Sequence, residues 1–282
     1  MPASPTAAVL LGPISVDRYL DEKLVLPGGG ALNMAYHWSR LGVPFRFVTR
    51  IGSDEAAVVM PFLQRHAIEC TSELVVAGGT SASIDIVIGD DRQPWMDNFV
   101  PGVWQDLQLS AAEESALCSA PHAHAVLVDP VAAEVHRLGD AGLLGEVALS
   151  GDFLSFRHYT VERFAETMHH LRLGFIGWPG EADDPRIAAI RDVAFDLRRV
   201  VVVTMGARST LVFDGTGRPT VQEHPINAVA VKGTTVGCGD AFIAAFLASW
   251  WDHDDITRAV HAGQRSGASA TVWLRPLPDE AY

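Results

Sequence analysis

The chain has 282 residues, of which 48% are hydrophobic and 20% charged, the make-up of a globular protein able to bury a sizeable core. Its 34 acidic and 21 basic residues leave a formal net charge of −13, which argues against nucleic acid or an anionic membrane as the main partner. An anionic small molecule stays admissible, because a pocket can be locally positive on an acidic protein.

The opening MPASPTAAVLLG has no basic stretch ahead of its apolar one, so no secretory leader is predicted and the cytoplasm is the expected location. Residues 7–11 (AAVLL) predict a buried strand that stops at Gly12. Pro27 and three glycines then lead into ALNMAYHWSRLG, where Ala31, Met34, Ala35, Trp38 and Leu41 keep helical spacing and Gly42 supplies the stop. Residues 45–51 predict the next strand, and 54–67 a helix kinked or restarted at Pro61. ASIDIVI (82–88) reads as a strand, and 90–106, rich in Asp, Pro and Trp, as loop or sheet edge.

From about 110 the pattern becomes regular. Helices near 110–118, 131–143, 160–172 and 185–198 alternate with strands at 125–129, 146–152, 173–178 and 199–206. Strands that are apolar throughout, separated by helices, predict a parallel sheet covered on both faces. Residues 209–224 predict a hairpin turning at Asp214-Gly215, and helices near 238–251 and 255–271 follow. The apolar run 241–251 falls short of the roughly 20 residues a membrane span needs. With no repeat, low-complexity tract or linker, 1–282 reads as a single α/β domain: a three-layer, doubly wound, mostly parallel sheet. A small strand-rich appendage is expected from about 14–26 and 80–100.

Cys70, Cys118 and Cys238 form no CxxC pair, so neither a disulfide framework nor a zinc site is indicated. None of the 11 histidines lies in HExxH, and His122/His124 and His169/His170 lack the spacing of a helical metal pair.

Chemistry concentrates in two glycine clusters. In GTTVGCGDAF (233–242) a Gly-x-Gly-Asp turn feeds a helix. Such a turn leaves backbone N–H groups without intrahelical partners, and the helix dipole favours an anion there. Asp240 at its edge is placed to accept a proton from an attacking hydroxyl. By itself the motif is equally a first-turn carboxylate favoured by the dipole. PGGGALN (27–33) also opens a helix, with Asn33 in its first turn, and an amide that donates and accepts suits a polyhydroxylated ligand.

Together these residues resemble the PfkB, or ribokinase-like, carbohydrate kinases. The early signature is Gly28-Gly29 with Asn33, Ala35 and Leu41-Gly42. The late one is Thr235, Gly237, Gly239, Asp240, Ala241 and Phe242. Gly12 to Asp17, Ile51-Gly52 with Asp54, and Val203-Thr204-Met205-Gly206 fall where that family has equivalents, so the resemblance spans nearly the whole chain. It implies a ribokinase-like fold with a small β lid and phosphoryl transfer from ATP, with Mg2+, to a hydroxyl. Asp240 would be the base, and backbone N–H groups of Gly237, Cys238, Gly239 and Asp240 the anion hole. Asp17, Gly28, Gly29 and Asn33 would hold the acceptor, and Thr204, Gly206, Thr235 and Gly237 would lie near the nucleotide. Family dimers often form through the lid, so the resemblance admits a homodimer through the lid, while so short a lid leaves the oligomeric state open.

Three departures stand out. Thr234 replaces the family's usual Asp, which puts a monovalent-cation site in doubt. Trp178-Pro179-Gly180-Glu181 stands for Asn-x-x-Glu, leaving Glu181 as the metal candidate. Cys238 replaces alanine, either as a small filler or as a thiol acidified by the helix terminus. The segment between Asp17 and Pro27 is short, and with FVPGVWQDLQLS (99–110) it looks most like the fructoselysine 6-kinase branch. That branch implies a sugar or glycated amino acid as acceptor. Trp95, Met96 and Trp104 either line the acceptor pocket or pack the lid or a dimer contact. Two functional readings are carried: a sugar kinase, and an impaired relative that senses nucleotide or sugar. A dinucleotide-binding oxidoreductase is set aside, because GPISVD, not GxGxxG, follows the first strand.

Overall fold

A computed structural model describes residues 8–90 and 92–282; Ala7 of the first predicted strand and Asp91 of the predicted lid lie outside the described residues. In chain order the elements are β1 (Ala8–Leu11), β2 (Ser15–Tyr19), β3 (Leu24–Gly28), α1 (Gly30–Leu41), β4 (Phe45–Val48), β5 (Ile51–Gly52), α2 (Ala56–Arg65), β6 (Val75–Val76), β7 (Ala82–Ile88) and β8 (Pro94–Val100). There follow α3 (Ala111–Ser119), β9 (His122–Val126), α4 (Asp129–Asp140), β10 (Ala148–Ser155), α5 (Val161–Met168), β11 (Leu173–Gly177) and α6 (Pro185–Asp196). The last elements are β12 (Val200–Thr204), β13 (Ser209–Asp214), β14 (Thr220–Pro225), α7 (Cys238–His253) and α8 (Ile256–Ala270).

The chain divides into two compact units, one made of residues 1–108 and 229–282 and the other of 109–228. The second unit carries strands in the order β14-β13-β12-β11-β10-β9. β9 to β12 are parallel neighbours, while β12–β13 and β13–β14 are antiparallel. The hairpin predicted at Asp214 is therefore present. The valine run of β12 is buried over its first four residues, as a strand covered on both faces requires. α3 begins with a capping box: Ser110 Oγ accepts from Glu113 N–H, and Glu113 Oε2 accepts from Ser110 N–H.

In the first unit β1 pairs in parallel with β4. A separate small sheet has the order β3-β2-β7-β8, with β2 antiparallel to β3 and parallel to β7. These four strands fall within the predicted 14–26 and 80–100 segments, apart from the last two residues of β3. α7 packs on α8 and α1; Trp38 Nε1 donates to Ala244 O at 3.1 Å. Phe47 and Phe246 are fully buried, each stabilising the fold by about 1.5–3 kcal/mol. The fold is α/β with a mostly parallel sheet flanked by helices, as predicted. No helix among the described residues is long and apolar enough to cross a membrane.

Several boundaries differ from the sequence reading, and three cases show what decides them. α2 runs unbroken through Pro61, which deletes one backbone bond while buried Val59, Phe62 and Leu63 hold the helix. β9 lies three residues earlier than expected, because Asp129-Pro130 begins α4 rather than ending a strand; proline presets the helical φ at a first turn. The strand expected over 45–51 stops at Val48, and Ile51-Gly52 pairs instead with β6.

Candidate active site

α7 opens at Cys238 with Gly237 as its N-cap at φ 78, and no side chain caps it. A Cβ on Gly237 would also stand 2.7 Å from Pro276 Cα, so this position needs glycine twice over. Upstream, Gly233 and Thr234 N–H donate to Thr271 O and Trp273 O, each at 2.8 Å. The signature loop thus lies backbone to backbone on residues 271–276. The helical ladder begins with Ala241 N–H donating to Gly237 O at 2.9 Å. Cys238 N–H donates to Thr235 O at 3.3 Å. Nothing lies within 4 Å of where a Gly239 Cβ would stand. An uncapped, open helix N-terminus is the setting that stabilises a phosphate.

Asp240, in the first turn, accepts a hydrogen bond from Asn33 Nδ2 through its Oδ2 at 2.7 Å. Asn33 is 3% exposed, and its Oδ1 is buried without a partner among the described residues. Gly30 lies beside the carboxylate: a Cβ there would sit 3.0 Å from Asp240 Oδ1. The early glycines also make room for a second acid. A Cβ on Gly28 would overlap Asp17 Oδ2 at 2.1 Å, and Gly29, at φ 95, is the N-cap of α1. Asp17 is buried and receives the Ser15 hydroxyl at 2.7 Å. Burial raises its pKa to about 6, partly offset by the Ser15 bond. Both clusters and both acids belong to the first unit.

The second unit holds Thr204, Gly206 and Glu181. Thr204 ends β12, with Oγ1 donating to Ile176 O at 3.3 Å, and Gly206 follows at φ 61 with open space where a side chain would be. Glu181 is exposed and paired with Arg208. Trp178 is buried and donates from Nε1 to Glu181 O at 3.0 Å. No group of three or more His, Cys, Asp or Glu able to hold a metal ion occurs among the described residues.

Residues 175–272 match the pfkB family carbohydrate kinases, and that stretch contains the whole late signature. That match covers about a third of the chain, in its C-terminal part. Fructoselysine 6-kinase of Escherichia coli (strain K12) is 25% identical over 259 residues, 92% of this chain and 94% of its own. Among solved structures, ribokinase of Arabidopsis thaliana, complexed with ribose and ATP, superposes with a TM-score of 0.75 at 17% identity, covering 98% of this chain and 96% of its own. Adenosine kinase of Schistosoma mansoni, in complex with 2-fluoroadenosine, gives 0.79 at 14% identity and 99% of both chains. The match and these relatives support an ATP-dependent sugar kinase, and the solved structures show the ribokinase-like fold.

The departures from the PfkB pattern have physical accounts. Thr234 is completely buried; its hydroxyl donates to Arg92 O and accepts from Val236 N–H, each at 3.3 Å. A neutral hydroxyl tying two backbone groups occupies the position of the family carboxylate. Thr235 Oγ1 donates to Gln93 Oε1 at 3.0 Å. Burial, then the charge of Asp240, pushes the Cys238 thiol up to about 12, the opposite of an activated thiolate. Trp104 is buried with Nε1 donating to Arg50 O, which makes it packing. Trp95 and Met96 are exposed on β8.

Sequence reading passed over Ser15 and Gly30. Ser15 lies two residues before Asp17 on a strand, and that spacing puts both on one face. Gly30 was visible in the glycine run, but only the geometry shows that its bare Cα admits Asp240.

Proposed function

We propose that this chain transfers the terminal phosphoryl group of ATP to a hydroxyl of a sugar or sugar derivative in the cytoplasm. Asp240 is the general base, and the Gly237–Asp240 backbone is the anion hole. The observation that carries the reading is the Asn33–Asp240 hydrogen bond of 2.7 Å beside an uncapped helix N-terminus. Asn33 orients the carboxylate, whose other oxygen lies over the bare Cα of Gly30. The hydroxyl oxygen then attacks phosphorus while its proton passes to Asp240. Gly239 N–H and Asp240 N–H meet the charge on the transferring group.

Asp17, Gly28, Gly29 and Asn33 form the acceptor side, under a lid made of β2, β3, β7 and β8. Above pH about 6 Asp17 is a carboxylate able to accept from two acceptor hydroxyls. Thr204, Gly206, Thr235 and Gly237 face the nucleotide. The open glycine backbone at 237–239 fits the phosphates of ATP, which supplies the group transferred. Glu181 is the candidate carboxylate for Mg2+, which would come bound to the nucleotide's phosphates. An acceptor bearing an amino-acid substituent is favoured by the likeness to fructoselysine 6-kinase and by the small lid. Exposed Trp95, Met96, Phe99 and Val100 on β8 favour self-association through that lid.

The deciding experiment is an ATP-turnover panel of free sugars, glycated amino acids and nucleosides. Turnover of at least one sugar-class acceptor, lost in Asp240→Asn, is expected. Binding of ATP with turnover of none favours the second reading, a sensor, which the changes at Thr234 and Trp178 motivate.

A further inference from the structure

Residues 271–276 support the loop before the proposed phosphate hole: Lys232, Gly233 and Thr234 donate to them from the backbone, and Pro276 fills the space against Gly237. Arg275 stands within this support and is 8% exposed. Its guanidinium pairs with Glu22, in the turn between β2 and β3, and with Asp279 at 2.6 Å. It also lies 5.6 Å from the centroid of the Tyr19 ring. Tyr19 follows Asp17 by two residues on β2, so the two share a face of the strand. One side chain therefore reaches from the segment that supports the signature loop to the last residue of β2 and the turn that follows it.

Arginine suits this task. Its planar fork holds two carboxylates at once while its face stacks on an aromatic ring, which a lysine cannot reproduce. A buried guanidinium without partners would be costly, and here Glu22 and Asp279 share the task of pairing it. β2 is also held by β7, while β3 is the edge of the sheet, so what a tie at the β2–β3 turn adds is placement; a misplacement of about 1 Å in a binding group costs up to about a hundredfold in rate.

We infer that Arg275 is a positioning residue for the acceptor. Through Glu22 and Tyr19 it fixes the β2–β3 hairpin, and with it Asp17, in register with the loop that leads to Asp240. The inference rests on the phosphotransfer reading for its kinetic consequence, though not for the clamp itself.

Glu22 is half exposed, so Glu22→Gln severs the lid end of the clamp without threatening the fold. With the full chain, Glu22→Gln is expected to raise KM for the acceptor about tenfold while KM for ATP stays within about twofold. Arg275→Met should do the same, Arg275→Lys should recover part of the loss, and Glu22→Gln/Arg275→Met should be no worse than Arg275→Met alone. Hydrogen exchange of amides 15–28 should quicken in Glu22→Gln with no turnover required. Unchanged acceptor KM and unchanged exchange in Glu22→Gln would overturn the clamp, as would an equal rise in both KM values. Should the wild-type chain turn over no acceptor, the phosphotransfer reading fails, and the exchange result alone upholds or overturns the clamp.

Discussion

Asn33 and Asp240 are 207 positions apart in the chain and 2.7 Å apart in the fold. One amide proton fixes the orientation of one carboxylate, and the proposed chemistry depends on that fixed orientation. Asp240→Asn keeps the shape and removes the base. Turnover number should fall by about 10²–10⁴, with the thermal midpoint shifted little. Asn33→Ala should lower turnover less and weaken acceptor binding as well. A coupled ATP assay beside a melting curve checks both.

Gly28 and Asp17 give a steric test. A methyl group at 28 would sit 2.1 Å from Asp17 Oδ2, so the carboxyl must move. Gly28→Ala should raise acceptor KM at least about tenfold with ATP binding, read by calorimetry, unchanged.

The buried Asp17 sets opposite demands on stability and function. Its folded pKa, about 6, exceeds its reference value of 3.8, so its contribution to stability is fully present below about pH 4. That contribution is lost as pH rises through about 6. Asp17→Asn carries no such loss. Relative to wild type the variant should therefore gain stability between pH 4 and 7, by up to about 3 kcal/mol, while acceptor turnover collapses. Denaturant midpoints at the two pH values measure the gain. For the wild-type protein, kcat/KM for the acceptor should climb with an apparent pKa near 6.

Thr234 predicts indifference to monovalent cations. Its hydroxyl is committed to two backbone groups and brings no charge. Turnover should differ by less than about twofold when potassium is replaced by tetramethylammonium at constant ionic strength.

Cys238 should resist alkylation at neutral pH, because its thiol is held near 12 and the thiolate is the reactive form. Cys238→Ala should retain near-normal turnover, with mass spectrometry reporting the missing adduct in the wild-type protein.

Much of the fold and of the site is legible in the amino-acid order. Alternation of helices with apolar strands locates the parallel sheet; two glycine signatures point to Asn33 and Asp240, and the family resemblance to Asp17. Boundaries are harder where local cues conflict. Asp129 looks like a strand end until Pro130 is read as a helix start. Pro61 looks like a break until the burial of Val59, Phe62 and Leu63 is seen to outweigh one lost bond. Arg275 carries no signal at all. Its partners lie 253 residues before it and four after it, and no periodicity links a guanidinium to a distant hairpin turn. Gly233 is similarly mute, since its need for a bare Cα comes from Trp273 O, a neighbour supplied by packing alone.

The first unit is interrupted in sequence by the second, which has a consequence in time. During synthesis residues 109–228 leave the ribosome as one continuous piece with neighbouring strands already adjacent in sequence, so that unit can fold as it emerges. The first unit must wait. α1 gains its partner α7, and Asn33 gains Asp240, only when the last fifth of the chain is out. Until then the apolar face of α1, with Trp38 at its centre, stays uncovered. Until that moment neither the Asn33–Asp240 bond nor the α1–α7 contact exists.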